Sequence, residues 1–96
     1  MKKRALIKVF KLDDYDWWAG ESLEACIDEG RRQCGRQAYP DAYQDGHEVS
    51  DEAMQTMVTQ VDEDRSAEPI TFAAHLAQLL ASKYEKFPQL FASTED

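Results

Sequence analysis

Arg4-Ala5-Leu6-Ile7-Lys8-Val9-Phe10-Lys11-Leu12, then Asp13-Asp14, then Tyr15-Asp16-Trp17-Trp18-Ala19, is the stretch that decides the fold. Its first nine residues alternate with a period of two. Ala5, Ile7 and Val9 fall on one face and Leu6, Lys8, Phe10 and Leu12 on the other, which is the pattern of a strand covered partly on both sides. Asp13-Asp14 supplies turn chemistry because short acidic side chains accept hydrogen bonds from nearby backbone N–H groups. The following run is therefore expected to return as the second strand of a hairpin, with Tyr15, Trp17 and Ala19 on one side and Asp16 and Trp18 on the other.

Working outward, Ser22 is a good N-cap for a helix with Glu24 in its first turn and Leu23, Cys26, Ile27, Gly30 and Cys34 at helical spacing. Gly35 stops it, and Arg31, Arg32 and Arg36 suit its C-terminal dipole. Between Gln37 and Ser50 the pattern is weak, with turn signals at Tyr39-Pro40 and Asp45-Gly46. Ser50 to Met54 predicts one capped helical turn, and Met57, Thr59 and Val61 a third strand ending at the acidic turn Asp62-Glu63-Asp64. Pro69 and Thr71 introduce a second helix whose stripe of Phe72, Leu76, Leu79, Leu80 and Tyr84 is expected to face the sheet. Phe87-Pro88 ends it, and Leu90 to Thr94 predicts a last strand. The order β-β-α-β-α-β implies an α+β fold: a small, mostly antiparallel sheet with two helices on one face, as a single domain over residues 1–96.

With 96 residues, 43% hydrophobic content and ten aromatics, the chain is too rich in core-forming side chains for disorder, but its core must be small. Nineteen acids against 11 bases give a net charge of -8, unevenly placed. Lys2, Lys3, Arg4, Lys8 and Lys11 lie in an N-terminal segment without acids, so the rest of the chain carries every acid against six bases. A field of that sign repels phosphate backbones, disfavouring direct nucleic-acid binding, and attracts basic surfaces. No run is long and apolar enough for a membrane span. Cytoplasmic location, in a bacterium or an infected cell, is the expectation.

Chemical motifs are scarce. Cys26 and Cys34 share one helix, about 12 Å apart by its rise, too far to bridge, and are expected as buried free thiols. Asp41, Asp45, Gly46 and Glu52 match a calcium loop at positions one, five, six and twelve, but Tyr43 at position three, Glu48 at position eight and Pro40 before the loop break the match. His47 and His75 have no ligand partners at characteristic spacing, with His75 expected at a helix boundary between core and solvent. Neither a nucleophile elbow nor a phosphate loop occurs. No enzyme activity, cofactor or metal is expected.

The most unusual segment is Asp13-Asp14-Tyr15-Asp16-Trp17-Trp18, with three acids and three aromatics in six residues. One Trp can fill the core while the other lies exposed among carboxylates, as a hot spot against a basic partner would; the alternative is that Trp18 packs under a helix or loop. Together with Asp62, Glu63 and Asp64 these six form the candidate partner-binding set. The segment from Lys8 to Glu24 and the tail, Phe87-Pro88 followed by Leu90-Phe91-Ala92-Ser93-Thr94-Glu95, resemble small proteins of phages, prophages and other mobile elements. That resemblance implies an inhibitor of host defence, of the anti-CRISPR kind, in the bacterial cytoplasm. The expected partner is a basic bacterial protein or nucleoprotein complex, inhibited by blocking or mimicking nucleic acid at its basic surface. The competing expectation is a self-associating accessory protein, such as a homodimer, paired through a sheet edge at strand two or the final strand.

Overall fold

In a computed structural model of the chain, residues 6–59 and 69–93 are described. In chain order the elements are β1 (Lys8–Lys11), β2 (Asp16–Gly20), α1 (Leu23–Cys34), α2 (Ala42–Asp45) and β3 (His47–Glu48). They continue with α3 (Asp51–Thr56), β4 (Val58–Thr59), β5 (Ile70–Thr71), α4 (Phe72–Ala81) and β6 (Gln89–Ser93). The fold is α+β. The chain divides into two compact units, Met1–Val49 with Lys86–Asp96, and Ser50–Glu85.

The first unit is built on an antiparallel sheet of order β3-β1-β2-β6. The expected hairpin forms, pairing Phe10 with Trp18 and Lys11 with Trp17. β2 begins one residue later than the alternation suggests, at Asp16 opposite Ser93, because the Tyr15 N–H is held in the turn by the Asp13 carboxylate. The final strand lies beside β2, which places β2 in the sheet interior and removes it as an edge. The β2–β6 register shifts between Trp17 and Trp18, leaving Phe91 as an additional residue on β6, a bulge.

Helix α1 forms where its caps dictate. Ser22 Oγ accepts from the Ala25 N–H at 3.1 Å, and Gly35, at φ 114°, donates its N–H to the Arg31 carbonyl at 2.8 Å. Only glycine adopts that backbone at low cost. Its buried face, Cys26, Ile27 and Gly30, meets Phe10, Leu12 and Trp18 of the hairpin, with Tyr39 and Ala42 closing the cluster. Burying each large apolar side chain there contributes roughly 1.5–3 kcal/mol. Cys34 is exposed and not buried as expected: it falls on the same face as Ile27 and Gly30, seven and four residues earlier, but it is the last residue of the helix and lies beyond the core cluster.

Between Tyr39 and Val49 the weak pattern hides real structure. α2 is a single turn anchored by buried Ala42, and the Val49 N–H donates to the Val9 carbonyl at 2.8 Å, so β3 is tied to β1 at both ends.

In the second unit, Ser50 and Thr71 cap α3 and α4, each accepting a backbone N–H three residues on at 3.1 Å. β4 and β5 form a two-residue antiparallel ribbon, extended by the Phe72 N–H to Met57 carbonyl bond at 2.8 Å. Helix α4 packs on α3 and on this ribbon. Of its expected stripe Phe72 is buried and Leu76 and Leu79 are half-buried. Leu80 and Tyr84 are exposed; α4 ends at Ala81, so Tyr84 lies beyond the helical register that would align it. The rest of the expected third strand, and the acidic turn Asp62-Glu63-Asp64, lie outside the described residues.

Candidate functional site

The hairpin tip is shaped by one carboxylate. Asp13 Oδ1 accepts from the Tyr15 N–H at 2.9 Å and the Asp16 N–H at 2.7 Å, and the Leu12 N–H donates to the Asp16 carbonyl at 3.1 Å. Buried Leu12 anchors the tip, while Asp14 and Tyr15 stand out in solvent, Tyr15 at 58% exposure. Asp13 thus shapes the turn as well as contributing charge.

Pairing of β3 with β1 sets Lys11 opposite His47, and this brings Asp45 beside the tip. Lys11, Leu12, Asp13, Asp14, Asp45 and His47 line a cleft of about 80 Å³. Three carboxylates, one ammonium and one imidazole share its rim. Asp45 and His47 were invisible as members of this group, since only the β1–β3 register joins them to it. The sequence marks Asp45 in the calcium-like run and His47 as a lone imidazole, and neither signal points to the hairpin tip.

The two tryptophans do not join that surface. Trp17 is 6% exposed and Trp18 1%, so Trp18 packs inside, in line with the alternative reading, and the exposed-Trp reading is corrected for both. Successive residues on a strand point to opposite faces, and both faces of β2 are covered at this point. The Lys11 ammonium lies 5.8 Å from the centre of the Trp17 ring, within cation–π range. Asp16 is half-buried, turned inward to accept from the Tyr39 hydroxyl at 2.8 Å.

Tyr39 in turn accepts the Trp18 indole N–H at 3.0 Å, and the two rings meet edge to face with centroids 6.2 Å apart. Its phenol is pushed up from the ordinary value, first by burial and then by the hydrogen bond to Asp16. Gly30 makes room for the ring: a Cβ there would come within 2.7 Å of Tyr39 Cε2. Arg31 secures the backbone behind it, Nε donating to the Ala38 carbonyl at 3.0 Å and Nη2 to the Tyr39 carbonyl at 3.2 Å. The same guanidinium stacks 5.4 Å from the Tyr43 ring, whose hydroxyl donates to Asp28 at 3.3 Å.

The thiols are chemically unequal in setting. Burial pushes the Cys26 thiol up to about 12, so it stays protonated and inert as a nucleophile. The calcium-like run is interrupted by the α2 turn and the β3 strand, and among the described residues no group of three or more His, Cys, Asp and Glu converges as a metal ion requires. Nor is any described helix long and apolar enough to cross a membrane. No protein-family model matches the chain, and no curated protein or solved structure is significantly similar to it.

Proposed function

We propose that the chain is a non-enzymatic protein-binding module whose acidic hairpin tip docks on a basic surface of a bacterial defence or nucleic-acid-handling complex. The carboxylates take the places that phosphates would occupy, and competition with nucleic acid follows from occupancy and charge. The observation that carries this is the exposed pair Asp14 and Tyr15, flanked by Asp13 and Asp45 on a tip whose backbone is already hydrogen-bonded into shape. Tyr15 supplies apolar contact area with little entropy to lose, and the net charge of -8 adds long-range attraction. Trp17 and Trp18 act behind the surface. The resemblance to mobile-element proteins fits the same role, a host-defence inhibitor working in the cytoplasm. The bulge on β6 speaks for this role over self-pairing, because bulges blunt sheet edges.

The test begins with the purified chain as bait in a nuclease-treated bacterial lysate at low and high salt. A basic nucleic-acid-binding complex retained only at low salt is the expected catch, and duplex DNA should compete for it. Association of that complex is then timed with Asp14→Asn/Tyr15→Ala, with Asp13, Asp14 and Asp16 neutralised together, and with Asp62, Glu63 and Asp64 neutralised together. Association slowed roughly tenfold by the tip variants is expected. Unchanged rates for every variant, or retention of nothing but the chain itself, overturns the proposal.

A further inference from the structure

Trp18, Tyr39 and Asp16 form a directional chain. An indole N–H can only donate and an ionised carboxylate can only accept, so the single hydroxyl hydrogen of Tyr39 must go to Asp16 while its oxygen receives Trp18. Asp16 is the junction. Its side chain ends this buried chain, its N–H is taken by Asp13 and its carbonyl by the Leu12 N–H. Every polar group of that residue is therefore committed, one to the core and two to the tip.

At the other end, Tyr39 sits at φ 54°, a left-handed backbone region that residues other than glycine enter only at a cost. Arg31 clamps that backbone from α1, and Gly30 admits the ring. A strained residue held by two such devices, with its hydroxyl aimed at the root of an exposed turn, does more than fill space.

We infer that Tyr39 is a positioning residue for the hairpin tip: through Asp16 it fixes the backbone that presents Asp14 and Tyr15, coupling the loop after α1 to the docking surface. The inference rests on the docking role only for what the tip contacts. The coupling itself belongs to the isolated chain. A tip fixed before encounter loses less conformational freedom on binding, which is how such a device serves an interface.

Tyr39→Phe keeps the ring against Gly30 and Trp18 and deletes both hydroxyl bonds. Amide hydrogen exchange, read by NMR on the free chain, should quicken roughly tenfold at Tyr15 and Asp16 while Cys26 and Ile27 in α1 keep their protection. The Trp18 indole N–H resonance should shift as its acceptor disappears. Asp16→Asn retains a side-chain acceptor for the Tyr39 hydroxyl and should stay near the wild-type rates, whereas Asp16→Ala should match Tyr39→Phe, and the two together should add nothing. Tip amides that do not respond, or a uniform rise across the unit, would show Tyr39 to be packing only. Because no partner is present, that failure is distinguishable from failure of the docking proposal. Should Tyr39→Phe not fold, the Asp16→Ala and Asp16→Asn comparison decides alone.

Discussion

The two units are held by different means. In the first, α1 and the hairpin close over Phe10, Leu12, Trp18, Cys26 and Ile27, a continuous core with a hydrogen-bonded Tyr at its edge. In the second, both helices are well capped, yet among the described residues Phe72 is the one fully buried apolar side chain there. Capping decides where a helix begins. Burial decides how firmly it is held, and the surface residues that matter for recognition are better aimed from the firmly held unit.

The most severe way to break this contrast is to hollow each core in turn. Trp18→Ala removes a side chain 1% exposed and should cost about 3–5 kcal/mol, a large share of the 5–15 kcal/mol available to a typical domain. Phe72→Ala should fall at the low end, about 3 kcal/mol, because half-exposed neighbours can settle into the space. Urea unfolding of both variants, followed by circular dichroism, measures the difference. In the wild-type chain, α4 amides should exchange through smaller openings than those of β1 and β2. Equal losses for the two variants, with equal exchange, would erase the distinction.

Gly30→Ala sharpens the first half of the comparison. Alanine favours a helix over glycine by about 1 kcal/mol, so on an open helix it would stabilise. Here its Cβ meets Tyr39 Cε2 at 2.7 Å and Cδ2 at 3.1 Å, on a ring that Arg31 and Asp16 keep from retreating. Overpacking of this kind costs about 1–3 kcal/mol, and a net loss is expected. Thermal unfolding gives the sign. A rise in melting temperature would mean that the Tyr39 loop yields easily and holds nothing in place.

What the sequence discloses follows the range of the forces involved. The hairpin, α1 with Ser22 and Gly35, α4 with Thr71 and the last strand are legible because alternation, caps and turn residues act within a few positions. β3 is not, since two residues paired to β1 carry no period of their own. The candidate site divides the same way. Asp13 and Asp14 are found by turn chemistry and Tyr15 by the density of acids and aromatics around it, whereas the inward turn of Asp16 and the burial of both tryptophans depend on Tyr39 and on the far side of the sheet. Asp45 and His47 reach the tip only through tertiary pairing. Composition could flag the aromatic-acidic segment but could not say which of its members face water.

The smallest expected effect concerns the outer surface of α1. Hydrogen bonds from Arg32, then from Gln33, hold the Glu29 carboxyl down at about 2 from its ordinary 4.5. A depressed carboxyl favours the folded state above its unfolded value and loses that contribution as pH falls toward 2, so the relevant window is roughly pH 4.5 to 2. The cluster faces solvent, where salt screens it and exposed pairs contribute little. A carboxyl titration by NMR should place the Glu29 midpoint well below those of ordinary glutamates, moving upward in strong salt, while Glu29→Gln should leave neutral-pH stability nearly unchanged. If Glu29→Gln instead rivalled Trp18→Ala at neutral pH, the first unit would owe its firmness to surface charge and not to its buried aromatics, and the contrast with the capped but thinly filled second unit would need another cause.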